Sequence, residues 1–305
     1  MDKIRVAVIG AGRLGAEHAR IYSSMEAAEL VGISDIDRAR GRRVAEERDS
    51  VLFQDYRMLE GKVDAVSIAV PTRVHYPAAS FFLARGVHVL LEKPITETLD
   101  EADRLISLSE AGGAILQVGH IERFNSALSR ASRDIENPRF IECHRLAPYQ
   151  PRGTEVSVVL DLMIHDIDII LDMVKSDISK IDALGVNVLS GGTDIANARL
   201  AFKNGAVANI TSSRVSRDRL RKVRIFAPNR YVSINYLDQS ATVCRKKDGD
   251  IAVEQISVDR EEPLKLELEH FVSCVIHKKP PLVSGRSARK ALEAALRISE
   301  IIGKS

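Results

Sequence analysis

The chain has no tryptophan, three cysteines and only 5% aromatic residues in a length of 305. Cys143, Cys244 and Cys274 are odd in number, far apart and free of CxxC spacing, which argues against a disulfide framework and a zinc site. They are expected as buried thiols in a reducing compartment. Charge of one sign is not in excess either: 44 Lys and Arg stand against 42 Asp and Glu, a net +2, so no general attraction for nucleic acid or membrane follows. No apolar run approaches the ~18 residues of a membrane span. Met1-Asp2-Lys3 leads straight into strand-like sequence without a signal-peptide pattern, and a cytoplasmic location is expected. Repeats and low-complexity tracts are missing. What remains is a mixed, 45% hydrophobic composition with length for roughly two domains at ~150 residues each.

The most informative stretch is the first. Ile4 to Ile9 is an apolar, β-branched run; it meets Gly10-Ala11-Gly12-Arg13-Leu14-Gly15 and resumes as Ala-rich helical sequence. Strand, tight turn and helix in that order make a dinucleotide-binding opening. Gly10 lets the chain turn, Gly12 keeps side-chain atoms away from a pyrophosphate, and Gly15 lets the helix pack against the strand. The helix N-terminus then offers unpaired N–H groups to the phosphates. A second strand, Leu30 to Ser34, ends at Asp35, twenty residues past Gly15, where a carboxylate accepts hydrogen bonds from ribose hydroxyls. It repels a 2′-phosphate, so NAD is expected over NADP. Arg38, Arg40, Arg42 and Arg43 weaken that preference and read mainly as a solvated helix face.

Strands and helices alternate through the first half. Asp64 to Val70, Val87 to Leu91 and Ala114 to Gly119 are nearly continuous in hydrophobicity, as parallel strands covered on both faces are. Thr98 and Glu101 have the spacing of a capping box. The expected class is α/β: a doubly wound, six-stranded Rossmann domain over 1–120 that binds NAD, then an α/β domain over 121–305 for substrate binding and oligomerisation. In the second domain, hairpin-punctuated strands between Ile181 and Ile256 predict a large, open, mostly antiparallel sheet. Helices are expected at 124–135, 158–174, 264–277 and 287–302.

Ligands of open α/β sheets sit beyond the carboxyl ends of the strands. Val70-Pro71-Thr72 would pass the cofactor ribose. Glu92-Lys93-Pro94 puts a cation at a strand end, where the bland reading is a snorkelling or Glu92-paired lysine. On the apolar helix from Val158 to Val174, Asp161, His165, Asp168 and Asp172 fall at i, i+4, i+7 and i+11 and form one stripe. Such a stripe on a core helix needs partners, a ligand or a wet cleft; a solvated face and a carboxylate metal site are its rivals, and no metal is expected. Asp161 sits one turn before His165 and can orient it.

These residues resemble the Gfo/Idh/MocA oxidoreductases over essentially the whole chain: GAGRLG, Asp64-Ala65-Val66 leading to Pro71-Thr72 and His75, Glu92-Lys93-Pro94, and Asp161-x-x-x-His165-Asp166-Ile167-Asp168. The resemblance implies that Lys93 and His165 flank the reacting carbon, with Asp161 completing the set, and that the C-terminal sheet mediates a homodimer or homotetramer. It implies cofactor contacts from Gly10, Gly12, Arg13, Leu14, Gly15, Asp35, Val70, Pro71, Thr72, His75, Glu92 and Lys93. Gly119 to Asn125 and Leu160 to Ile170 look like the branch acting on nucleotide sugars, which implies oxidation of the 3-hydroxyl of UDP-N-acetylglucosamine to a 3-keto sugar, later aminated for lipid A. Val158-Val159 and Met163 stand where many members have glycine, which weighs against inositol or free-sugar substrates. Those substrates, and a non-catalytic dinucleotide sensor, remain the alternative readings. For the sugar side the candidates are Lys93, His165, Arg123, Arg145 and Arg152 for the phosphates, and Tyr149 or Phe124 for stacking. The basic run Arg214, Arg217, Arg219, Arg221, Lys222 and Arg224 reads as a solvated strand-turn face, not a nucleic-acid surface.

Overall fold

The computed structural model describes residues 3–132, 135–150, 156–247 and 249–304; Arg152 lies outside them. The chain divides into two compact units, Met1–Ile121 with Glu262–Arg289, and Glu122–Glu261 with Lys290–Ser305. A single cut near residue 120, as the sequence suggests, therefore misassigns 262–289. Helix α7 (Pro263–His277) explains this, because its Leu264, Leu268, Phe271, Val272 and Val275 share a core with Val6, Val8 and Tyr22.

In the first unit, β1 (Ile4–Ile9), β2 (Ala28–Ser34), β3 (Val51–Phe53), β4 (Ala65–Ile68), β5 (His88–Glu92) and β6 (Leu116–Gly119) pair in parallel in the order β3-β2-β1-β4-β5-β6. Helices α1 (Arg13–Ser24), α2 (Arg38–Glu46), α3 (His75–Leu83) and α4 (Leu99–Gly112) connect them. Every residue of β4 and β6 is buried, which is why these strands read as unbroken apolar runs. The strand order reverses between β1 and β4, and such a switch point opens a crevice at the strand ends. Helix α4 starts on the reciprocal Thr98 and Glu101 box, and Gly113 ends it at φ +62°.

The second unit carries an eight-stranded sheet, β14-β13-β12-β11-β7-β10-β9-β8. Its strands are β7 (Phe140–Leu146), β8 (Ile178–Val186), β9 (Ile195–Phe202), β10 (Val207–Ser213), β11 (Leu220–Ala227), β12 (Arg230–Asn235), β13 (Ser240–Lys247) and β14 (Asp250–Ile256). Only β7 and β10 run parallel. The remaining helices are α5 (Ser126–Ser132), α6 (Ile164–Val174) and α8 (Gly285–Gly303). Residues of α5, α6 and α8 cluster with Ile141, Cys143, Ala208, Ile210 and Val223 of the sheet in one core. Central strand β7 is absent from the sequence expectation. Its inward positions include Arg145, which hides the alternation.

Arg145 is 2% exposed and donates two 2.9 Å hydrogen bonds to Asp166 and one of 2.8 Å to Glu122. Burial opposes the charge, but Asp166 and Glu122 outweigh it and hold the guanidinium above its usual pKa. The basic run is only partly the solvated face expected. Arg217 and Arg219 are exposed, whereas Arg214 is buried with its Nη2 donating to the Val156 carbonyl, and Arg224 pairs with Glu142 at 3.0 Å. Cys143 and Cys274 are buried, but Cys244 is half-buried, contrary to expectation. Arg145→Met strands the buried Asp166 and leaves Glu122 with Arg221 alone, at 3.3 Å, and is expected to cost about 3–5 kcal/mol in urea unfolding followed by circular dichroism; Lys180→Ala, at an exposed pair with Asp182, should leave the midpoint almost unmoved.

Candidate active site

The first unit builds its site from the turn after β1. Gly10 has φ +97° and its N–H donates to the Ser34 carbonyl at 2.7 Å. A Cβ on Gly10 would lie 2.4 Å from the Ala69 carbonyl oxygen, and one on Gly15 only 1.8 Å from that of Gly10. No other residue fits those positions without moving backbone. Gly12, which begins α1, would meet nothing within 4 Å, so the space in front of the helix N-terminus is open. An open cradle, N–H groups and an absence of acids in the first turn fit a pyrophosphate. Beside it lies a cavity of about 480 Å³ whose walls include Gly10, Gly12, Asp35, Arg40, Val70 and Pro71. Arg13 and Leu14 are exposed next to the turn.

Asp35 is 7% exposed and tied to the turn: its carboxylate accepts from the Ala11 N–H at 2.6 Å and the Asp37 N–H at 2.7 Å. Arg40 adds two bonds, at 3.2 and 2.8 Å. Burial opposes ionisation, but these donors together lower its pKa. The expected picture of α2 arginines as a solvated face therefore fails for Arg40.

His75, a cofactor contact by the family resemblance, is 1% exposed, with Nδ1 2.9 Å from the Pro94 carbonyl and Nε2 2.9 Å from that of Val70. It clips the turn after β4 to the segment after β5. Burial lowers its pKa, so in the neutral ring only one of the two nitrogens donates.

Glu92 ends β5 at 8% exposure, with His18 Nε2 3.3 Å from its carboxylate and His18 Nδ1 2.6 Å from Ser67 Oγ. The Lys93 N–H lies 3.3 Å from Glu92 Oε2, and the Lys93 side chain is half-buried. Gly119 makes room: a Cβ there would sit 2.8 Å from Glu92 Oε1. Glu267 of α7, wholly buried, has its pKa raised well above the usual carboxylate value by desolvation and then by Glu92. Sequence reading missed His18, Ser67 and Glu267; only His18 and Glu267 left a signal, as polar residues on apolar helix faces.

In the second unit the expected helix over 158–174 is not uniform. Val159–Met163 forms a π turn, closed by the Ile164 N–H on the Val159 carbonyl, and α6 follows. The extra residue per turn rotates Asp161 off the regular stripe. Asp161 and His165 are half-buried. The rest of the stripe has partners in Arg123, which lies 3.4 Å from Asp168 and 2.8 Å from Asp172. Thus Arg123 and Arg145, read as phosphate ligands, both hold carboxylates. Tyr149 is 37% exposed, while Phe124 at 8% is a core residue. Lys93 belongs to the first unit, and Asp161 and His165 to the second. Among the described residues no group of three or more His, Cys, Asp and Glu could hold a metal ion, and no helix is long and apolar enough to cross a membrane.

Comparison with known proteins agrees with this fold. Residues 4–120 match the oxidoreductase family with an NAD-binding Rossmann fold, and 112–230 match the GFO/IDH/MocA C-terminal domain. The chain is similar to UDP-N-acetylglucosamine 3-dehydrogenase of Acidithiobacillus ferrooxidans, 34% identical over 98% of this chain and 97% of that one. A solved structure of that enzyme superimposes with a TM-score of 0.95, covering 100% and 99% of the two chains. It is also similar to scyllo-inositol 2-dehydrogenase (NAD(+)) of Bacillus subtilis, 27% identical over 96% and 92%.

Gly12→Ala has room in the folded chain and should keep the melting temperature while weakening NADH binding in calorimetric titration; Gly15→Ala should lower the melting temperature as well. His75 has its pKa lowered on folding, so its contribution is full above the unfolded value of ~6.5 and is lost as pH falls through the folded value. His88 and His270 are lowered by burial in the same sense. The melting temperature should therefore drop between about pH 7 and about pH 5, and His75→Asn should flatten part of that slope.

Proposed function

Because the chain belongs to the Gfo/Idh/MocA oxidoreductase family, we propose that it is an NAD-dependent dehydrogenase that oxidises the 3-hydroxyl of UDP-N-acetylglucosamine to a 3-keto nucleotide sugar. The observation that carries this reading is the 34% identity, over nearly the full length of both chains, to an enzyme named for that reaction. The glycine turn and the open N-terminus of α1 fit the dinucleotide pyrophosphate, and Asp35 fits its ribose. When bound, NAD supplies the acceptor for the hydride that leaves the sugar carbon. The protein supplies the rest. His165, whose ordinary pKa of ~6.5 suits a base near neutral pH, takes the hydroxyl proton. Lys93 donates a hydrogen bond to the oxygen as negative charge develops on it, an interaction strongest in the transition state. Asp161 is a positioning residue for His165, and the π turn that carries it is a feature often found at functional sites.

Glu92 and His18 brace the end of β5 from which Lys93 projects, so the lysine backbone starts from a fixed point. With Arg123 and Arg145 held by carboxylates, Arg152 is the remaining candidate for the diphosphate and Tyr149 for the base. The product is a ketone that an aminotransferase can consume on the way to lipid A, which fits a cytoplasmic enzyme. In the second unit, the rings of Phe140, Phe226 and Tyr231 pack in tilted contact with centroids 5.6 and 5.0 Å apart, in register with Cys244 and Val253. Such an apolar row on a sheet face supports a homodimer or homotetramer. An inositol dehydrogenase is the second reading, favoured by the 27% match to scyllo-inositol 2-dehydrogenase.

Assaying NAD reduction against UDP-N-acetylglucosamine, free sugars and inositols should show turnover of the nucleotide sugar; turnover of an inositol alone transfers the assignment to the second reading. His165→Asn should lower kcat about 100-fold or more with NADH affinity unchanged. A variant of undiminished kcat and unaltered pH profile rejects His165 as the base.

A further inference from the structure

We propose that Arg40 sets how strongly the cofactor pocket prefers NAD over NADP, by occupying the carboxylate that the ribose needs and by offering its guanidinium to a 2′-phosphate once displaced. The inference rests on the reading of this pocket as the dinucleotide site.

An ionised carboxylate has about four acceptor positions. All four of Asp35 are in use: Ala11 N–H and Arg40 Nε on one oxygen, Asp37 N–H and Arg40 Nη2 on the other. The two backbone donors belong to the turn and to the start of α2 and are fixed by the fold. The two from Arg40 are not. Its side chain is 41% exposed, and its further ion-pair contact is Asp37 at 3.8 Å. A ribose diol that donates to Asp35 must therefore take the place of the Arg40 fork.

What Arg40 meets when it leaves differs between the two cofactors. With a 2′-hydroxyl it loses a bidentate, charge-assisted pair and turns to water, so NAD binds against that loss. With a 2′-phosphate, the fork finds an anion whose geometry matches it. The rest of the pocket favours an anion too. Its walls include three guanidinium groups, from Arg40, Arg57 and Arg73, and two carboxylates, from Asp35 and Asp55. Asp55 is taken by Arg57, with a closest approach of 3.2 Å, and Arg73 has no carboxylate partner among the described residues. Asp35 alone would exclude a 2′-phosphate by repulsion; screened by Arg40, it excludes it less. The same arginine thus weakens NAD binding and permits NADP binding, and its removal moves the two affinities in opposite directions.

Calorimetric titration of the full chain with NADH and with NADPH tests this without turnover. Wild type should bind both. Arg40→Ala should bind NADH about 2–5-fold more tightly and NADPH about 10-fold or more weakly, from loss of a competitor in one case and a phosphate partner in the other. Arg40→Lys, which keeps the charge but not the fork, should fall between wild type and Arg40→Ala for NADPH. Melting curves of the variants check that the fold survives. If Arg40→Ala weakens both dinucleotides alike, or alters neither, Arg40 only walls the pocket and the proposal fails. NADH binding to wild type with none detectable for NADPH also overturns it. Binding of neither removes the cofactor reading, and this inference with it.

Discussion

The crossing of α1 over the end of β1 is the constraint on which the first unit depends. The Gly15 Cα approaches the Gly10 carbonyl so closely that a methyl group would sit 1.8 Å from that oxygen, and Gly10 itself is pressed against the Ala69 carbonyl. The helix is held there by its buried face, with His18, Ala19 and Tyr22 at 0% exposure. That seat brings the free N–H groups of α1 to the edge of the sheet where β1 and β4 diverge. It also aligns the Ala11 N–H with Asp35, so the end of β2 and the turn after β1 become one object. Phosphate cradle and ribose acceptor are consequences of a single packing contact.

Carboxylates around the two candidate regions are held by arginines, by a histidine ring or by burial. Glu92 faces His18, Asp35 faces Arg40, Asp168 and Asp172 face Arg123, and Asp166 with Glu122 surrounds Arg145. Glu267 has no cationic partner among the described residues, and burial raises its pKa instead. The Arg145 set is buried on every side; such pairs seldom add much stability over apolar replacements, but breaking one is costly, so they fix geometry more than they strengthen the fold. Asp166 follows His165 directly, and its two bonds to Arg145 anchor the first turn of α6 to β7.

Much of this was legible in the sequence. The six parallel strands, the glycine turn and the Thr98 cap have local signatures, since burial on both faces and φ above zero restrict residue type position by position. Elements whose logic is long-range were not. Strand β7 places Arg145 where an apolar residue is expected, because its partners, Glu122 and Asp166, come from other segments. The return of α7 to the first core depends on Leu268 and Phe271 matching Val6 and Val8, and no periodicity reveals which core an amphipathic helix joins. The π turn at Asp161 breaks the 3.6-residue spacing that the stripe assumed. At the candidate site, Lys93 and His165 stood out as polar residues in apolar settings. That Arg123 would hold Asp168 and Arg40 would hold Asp35 required coordinates.

The proposed reaction is a hydride transfer from C3 of the sugar of UDP-N-acetylglucosamine to NAD. Its most direct measurement is mass spectrometry of the NADH formed when the enzyme is given the nucleotide sugar deuterated at C3. The expected result is one deuterium in the nicotinamide ring of each NADH and a 3-keto sugar without it. Unlabelled NADH, or a sugar product that retains deuterium at C3, would contradict the claim.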